Sequence, residues 1–133
     1  MNLNQVTVPV SDIPKSISFY QTLGLKLIVE SPHYARFLCP DGNATFSLHL
    51  AEELPSGNGI SVYFECENLD EKVEQLIEKG VSFDQLPKDQ TWLWREAYLK
   101  DPDGNMILIT FPGAIRSTWR FPPPMPACTG LST

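Results

Sequence analysis

From residue 3 to residue 10 the chain alternates, with Val6, Val8 and Val10 on one face and Gln5, Thr7 and Pro9 on the other, the period-two pattern of a half-buried strand. The valine face is the one that should meet a helix. That helix follows at once. Asp12 carries a carboxylate able to accept from the free amides of a first turn, and Pro14 falls where a missing N–H costs nothing. Gly24 is a left-handed stop, so the pattern predicts a helix to about Leu23. Residues 25–30, 34–39 and 45–50 then read as three short strands, with Pro40-Asp41-Gly42-Asn43 as the turn between the last two. The predicted order is βαβββ.

Pro55-Ser56-Gly57-Asn58-Gly59 has no periodicity and reads as a linker, after which the pattern restarts. A strand over 60–66 leads to Asn68, which with Glu71 has the spacing of a capping box, and a second helix runs to Gly80. Further strands are predicted near 81–85, 95–101 and 106–111. At an offset of 56 residues, Ile13 overlays Leu69, Ile17 overlays Val73, Tyr20 overlays Leu76 and Gly24 overlays Gly80. Pro40-Asp41-Gly42-Asn43 recurs as Pro102-Asp103-Gly104-Asn105 at an offset of 62, so about six residues have entered the second copy between Phe83 and Pro102. One module is written twice. The expected organisation is α+β: a first βαβββ module over 1–56, a second over 57–112, and a Pro-rich tail over 113–133 that is extended or disordered rather than helical, with Trp119 and Phe121 available to pin it.

Composition narrows the partners. Ten Lys and Arg against 16 Asp and Glu give a formal charge of −6, which repels phosphate backbones and anionic membranes. Neither nucleic acid nor membrane is an expected partner. Cys39, Cys66 and Cys128 are odd in number and lack metal-site spacing, which fits a reducing compartment, and Cys66 reads as a small buried hydrophobe. The start Met1-Asn2-Leu3-Asn4-Gln5 lacks the basic and apolar runs of a signal peptide, so a cytoplasmic protein is expected. No nucleophile elbow is present, and Gly57-Asn58-Gly59 is too short to be a phosphate loop.

The stretches Gln5–Asp12, Ser16–Tyr20, Leu23-Gly24-Leu25 and Asp101–Asn105, in this order and spacing, resemble the vicinal-oxygen-chelate superfamily of glyoxalases, extradiol dioxygenases and bleomycin-resistance proteins. The resemblance covers residues 4 to about 112. It implies paired modules forming a cup-shaped mixed sheet with helices outside, a small-molecule site in the cup, and a homodimer. In metal-dependent members four positions supply His, Gln or Glu to a divalent ion, and motif matching puts them at Gln5, Ser47, Ser61 and Leu108. Gln5 suits such a position. Serine hydroxyls are poor ligands and leucine has no donor, so no metal cofactor is expected. A register two residues later is the alternative: it would bring His49, with Tyr63 or Glu65, onto the face of Gln5.

The bleomycin-resistance branch is the nearer comparison, through Asp89–Glu96, and it implies capture of a small apolar or aromatic molecule rather than chemistry. Trp92 and Trp94, two apart on an extended segment, offer one stacking surface, against the plainer reading that they cover a core edge or a dimer contact. Gln5, Thr7, Ser47, Ser61 and Tyr63 supply a polar floor for a neutral ligand, or one filled by ordered water, with Leu108 beside it. His49 and Glu65 are the candidates for acid or base work, set against ordinary roles at a strand end and on a solvated face. His33 belongs to an exposed loop, and Arg95-Glu96 is either part of the site's rim or, the favoured reading, a surface ion pair worth little. The alternative function is a divalent-metal lyase, isomerase or dioxygenase. A third is a cofactor-free enzyme with His49 or Glu65 as base.

Overall fold

The computed structural model describes residues 3–54, 61–91 and 93–111. Among them the order is β1 (Gln5–Val10), α1 (Ile13–Leu23), β2 (Lys26–Ser31), β3 (Tyr34–Leu38), β4 (Thr45–Leu50), β5 (Ser61–Glu65), α2 (Leu69–Glu78), β6 (Gln85–Asp89), β7 (Arg95–Lys100) and β8 (Met106–Phe111). The strands make two four-stranded mixed sheets, ordered β1-β4-β3-β2 and β5-β8-β7-β6. The doubled βαβββ pattern and the α+β class are therefore observed. The linker at 55–60, Trp92 and the tail at 113–133 lie outside the described residues.

Two compact units divide the described chain, residues 3–54 with 100–106 and residues 61–91, 93–99 and 107–111. In the first, β1 runs parallel to β4 with Val8 opposite Leu48, and β3 returns antiparallel with Ala35 opposite Leu48 and Phe37 opposite Phe46. These residues share one face, and all are buried. Helix α1 covers that face through Ile13, Ile17 and Tyr20, the last ringed by Phe19, Phe37 and Phe46 at centroid distances of 5.1, 5.9 and 4.8 Å. Burying each such side chain contributes roughly 1.5–3 kcal/mol. Both helix ends form as the sequence predicts. The Asp12 carboxylate accepts from the Lys15 amide at 3.0 Å, and Gly24, at φ 109°, lets the Leu25 amide reach back to the Tyr20 carbonyl at 3.1 Å.

The turn at 100–106, from far down the chain, belongs to this first unit. Tyr20 donates its hydroxyl to Asp101 at 2.6 Å, Asn105 donates its amide to the Pro9 carbonyl at 3.0 Å, and the Ser11 amide donates to Asp103 at 3.0 Å.

The second unit repeats the plan around Leu69, Val73, Leu76, Ala97, Leu99, Ile107 and Ile109, all buried. It departs from the sequence reading in three places. The strand predicted near 81–85 lies at Gln85–Asp89, so the inserted residues fall on both sides of it. Its register against β7 is irregular between Gln85 and Lys88, and Pro87 is tolerated because β6 is the edge strand. Asn68 precedes α2 but makes no side-chain cap bond, so the capping box does not form; Asp70 and Glu71 in the first turn offset the helix dipole instead. Cys66 is only half-buried, because it follows the last residue of β5, where its amide donates to the Thr110 carbonyl.

Candidate functional site

The face of the first sheet opposite α1 is polar, and strand alternation is the reason. Register sets Gln5 opposite Thr45, Thr7 opposite Ser47, Arg36 opposite Ser47, and Tyr34 opposite His49. These side chains bond to one another. The Tyr34 hydroxyl and the Thr45 hydroxyl both approach the Gln5 amide oxygen, at 3.3 and 3.2 Å. The Gln5 amide nitrogen donates to Thr7 at 3.4 Å, and the Thr7 and Ser47 hydroxyls pair at 2.8 Å. Arg36 donates from Nε to the Thr45 hydroxyl at 3.2 Å and from Nη2 to the Asn4 side-chain oxygen at 3.4 Å. Three sequence candidates, Gln5, Thr7 and Ser47, are thus one connected group. His49 shares their face by register, at the exposed end of β4.

Arg36, Tyr34 and Thr45 were missed by sequence reasoning. Each stands two residues from another member of its strand face, so alternation alone could have collected them. What hid them is that Arg and Tyr at alternate positions are as common on a solvated strand as in a site.

In the second unit Ser61, Tyr63 and Glu65 follow the exposed parity of β5. Tyr63 meets Trp94 edge to face, with ring centroids 6.4 Å apart. Partial burial, and then the charge of Glu96, push the Tyr63 phenol above its ordinary range. Trp92, the other aromatic candidate, lies outside the described residues. Leu108 is buried on β8. The Arg95-Glu96 pairing does not form, because neighbours on a strand point to opposite faces. Arg95 grips Asp70 of α2 through Nε and Nη2, at 2.9 and 3.1 Å, and Asp89 through Nη1 at 3.0 Å. Glu96 turns the other way and is only 3% exposed.

The four positions that the resemblance assigns to a metal do not fit one. The oxygen of Gln5 is already approached by two hydroxyls, the Ser47 hydroxyl is fully buried against Thr7, Ser61 is a neutral hydroxyl, and Leu108 has no donor. Among the described residues no three His, Cys, Asp or Glu side chains are grouped to hold an ion. His49 and Glu65 each stand exposed on their own strand. Nor is any described helix long and apolar enough to cross a membrane.

Comparison with known proteins agrees with the architecture. The chain is 32% identical over 124 residues to the uncharacterized protein YraH of Bacillus subtilis (strain 168), covering 82% of this chain and 97% of that one. It is 31% identical over 112 residues to the probable trivalent organoarsenical cleaving enzyme of the same organism, covering 79% and 76%. The crystal structure of a bleomycin resistance determinant encoded on the transposon Tn5 superposes with a TM-score of 0.73 at 18% identity, covering 85% of this chain and 99% of that one, a likeness of fold. Residues 2–109 match the model of the Glyoxalase/Bleomycin resistance protein/Dioxygenase superfamily, and with its doubled βαβββ sheets the chain belongs to that superfamily.

Proposed function

We propose that this protein binds or sequesters a small apolar or aromatic organic molecule without a resident metal. The observation that carries the reading is the bonding of Gln5, Thr7, Ser47, Tyr34 and Thr45 to one another, which turns a metal-donor position into part of a neutral hydrogen-bonding floor. Such a floor orients a ligand through a few placed donors and acceptors. In the second unit, Tyr63, 44% exposed and braced by Trp94, offers an aromatic surface of its own. Removing it should weaken binding of an aromatic probe about fivefold, roughly 1 kcal/mol.

The test has two arms. Protein purified without chelator is analysed for divalent ions, and a panel of aromatic probes is titrated while tryptophan fluorescence is followed. Substoichiometric metal, with saturable quenching that Tyr63→Ala weakens, is the expected result. A stoichiometric ion that disappears in His49→Ala or Glu65→Ala overturns the metal-free reading. Absence of saturable binding across the panel overturns sequestration.

A second reading rests on the 31% identity to the probable organoarsenical cleaving enzyme. Trivalent arsenic is thiophilic, and of the two described cysteines Cys39 lies in the first unit and Cys66 in the second. Release of inorganic arsenite from a trivalent aryl arsenical, assayed with and without added divalent ions, separates this reading from simple capture.

A further inference from the structure

The polar face of the first sheet holds a cation that its own unit does not neutralise. Arg36 lies on β3, one of the two inner strands of the order β1-β4-β3-β2, and is half-buried. Both of its side-chain hydrogen bonds go to neutral oxygens, those of Thr45 and Asn4. Arg95 pairs with Asp70 and Asp89, whereas among the described residues Arg36 has no carboxylate within 4.0 Å. The strands around it explain why. In a chain of formal charge −6, β1, β3 and β4 contain no Asp or Glu at all. The one acidic residue of β2, Glu30, is paired with Ala35 and so follows the other face.

A guanidinium has five N–H donors in a fixed fork, and here Nε and one hydrogen of Nη2 are used. Both hydrogens of Nη1 and the second of Nη2 are left, as is one hydrogen of the Gln5 amide, whose other goes to Thr7. The fork is also held in place. Thr45 accepts from Arg36 Nε while its own hydroxyl hydrogen faces the Asn4 carbonyl and the Gln5 oxygen, at 3.1 and 3.2 Å. A half-buried cation, oriented by neutral partners and with adjacent donors unfilled, is matched by a planar anion that accepts two parallel bonds.

We infer that the ligand of this face carries a carboxylate, which pairs with the free edge of the Arg36 guanidinium while the Gln5 amide donates beside it. This deepens the binding proposed above and rests on it. One guanidinium with neutral neighbours suits a single negative charge on a planar group. A phosphate, with more charge and a tetrahedral shape, calls for further cations.

The test uses the full chain, labelled with ¹⁵N, and three probes of known charge: benzoate, its neutral counterpart benzamide, and inorganic phosphate. Benzoate should shift the Arg36 Nε–Hε signal and the amides of Tyr34 and Ser47, at least tenfold more tightly than benzamide or phosphate. Arg36→Gln should lower benzoate affinity tenfold or more. Arg36→Lys, which keeps the charge and loses the fork, should fall between, and a urea midpoint for each variant verifies folding. Equal affinity for benzoate and benzamide, or benzoate binding that survives in Arg36→Gln, overturns the carboxylate while leaving the binding face intact. Tighter binding of phosphate overturns the carboxylate in favour of a phosphoryl group. No shift on this face from any probe overturns both the carboxylate and the face itself. If neither variant folds, the three probes on the wild-type chain still decide.

Discussion

Asp101 is 4% exposed and accepts four hydrogen bonds: from the Tyr20 hydroxyl at 2.6 Å, the amides of Asp103 and Asn105 at 2.9 and 2.8 Å, and the Asn105 side chain at 2.8 Å. A buried carboxylate with this many donors is a structural pin, and its counterpart Cys39 in the first copy has no such role. Burial, then the Asp101 charge, push the Tyr20 phenol far above its ordinary range, so it stays a donor throughout the useful pH range. Tyr20→Phe should therefore cost about 1.5–3 kcal/mol, the worth of a bond to a charged group, read as a fall in urea midpoint at unchanged slope. An unchanged midpoint would remove Asp101 from the account of stability. The opposite sign is expected at Ser16, fully buried in α1 with no hydrogen-bond partner for its hydroxyl. Ser16→Ala should raise stability by about 1 kcal/mol, since Ala removes an unsatisfied donor and favours the helix. Residue types at this scale were readable in the sequence, but partners such as Tyr20 and Asp101, or Ser11 and Asp103, were not.

Elements repeat more faithfully than residues do. Leu25 bonding back to Tyr20 is echoed by Val81 bonding back to Leu76, both through a left-handed glycine, at the offset of 56 seen in the sequence. Seven of the eight strands and both helices lie close to where periodicity places them, because period and caps are local properties. Strand β6 slipped because Val81, Ser82 and Phe83 look as strand-like as Gln85–Asp89, and the choice falls to pairing with β7. Helix α2 is tied to that sheet by Arg95, whose bonds hold the Asp70 carboxyl below the usual carboxylate range. A lowered folded-state pKa gives stability that is present above the unfolded value and lost as pH falls through the folded one. The difference in urea midpoint between the wild type and Asp70→Asn should be widest above about pH 5 and shrink progressively as pH falls below the ordinary aspartate value of about 4. A difference that persists at low pH would assign the effect to something other than this charge.

For the whole molecule, each sheet has its own apolar core, and the stability of neither is expected to rest on an ion. Incubation with a chelator should leave the thermal midpoint unchanged, because the positions that the resemblance assigns to a metal carry Gln5, Ser47, Ser61 and Leu108. A drop that added zinc or iron reverses would restore the metal reading. Superfamily, the order of elements along the chain and the poverty of metal donors were all legible in the sequence, since motif spacing and ligand chemistry survive in a linear string. The Arg36 fork was not legible. An arginine on a strand reads as a solvated charge until its neighbours are known, and those neighbours, Thr45 and Asn4, are 9 and 32 positions away.

By itself, then, the sequence determined the doubled βαβββ plan, the helix ends at Asp12 and Gly24, and the residue types on each strand face, because backbone propensity and side-chain alternation act over a few residues. Tertiary structure alone decided that the turn at 100–106 packs with the first unit, that Glu96 turns inward while Arg95 reaches Asp70, and that Gln5 is bonded to Tyr34 and Thr45. Each of these depends on which distant segment supplies the neighbour, and that is settled only when strands take their register and helices dock on the sheets.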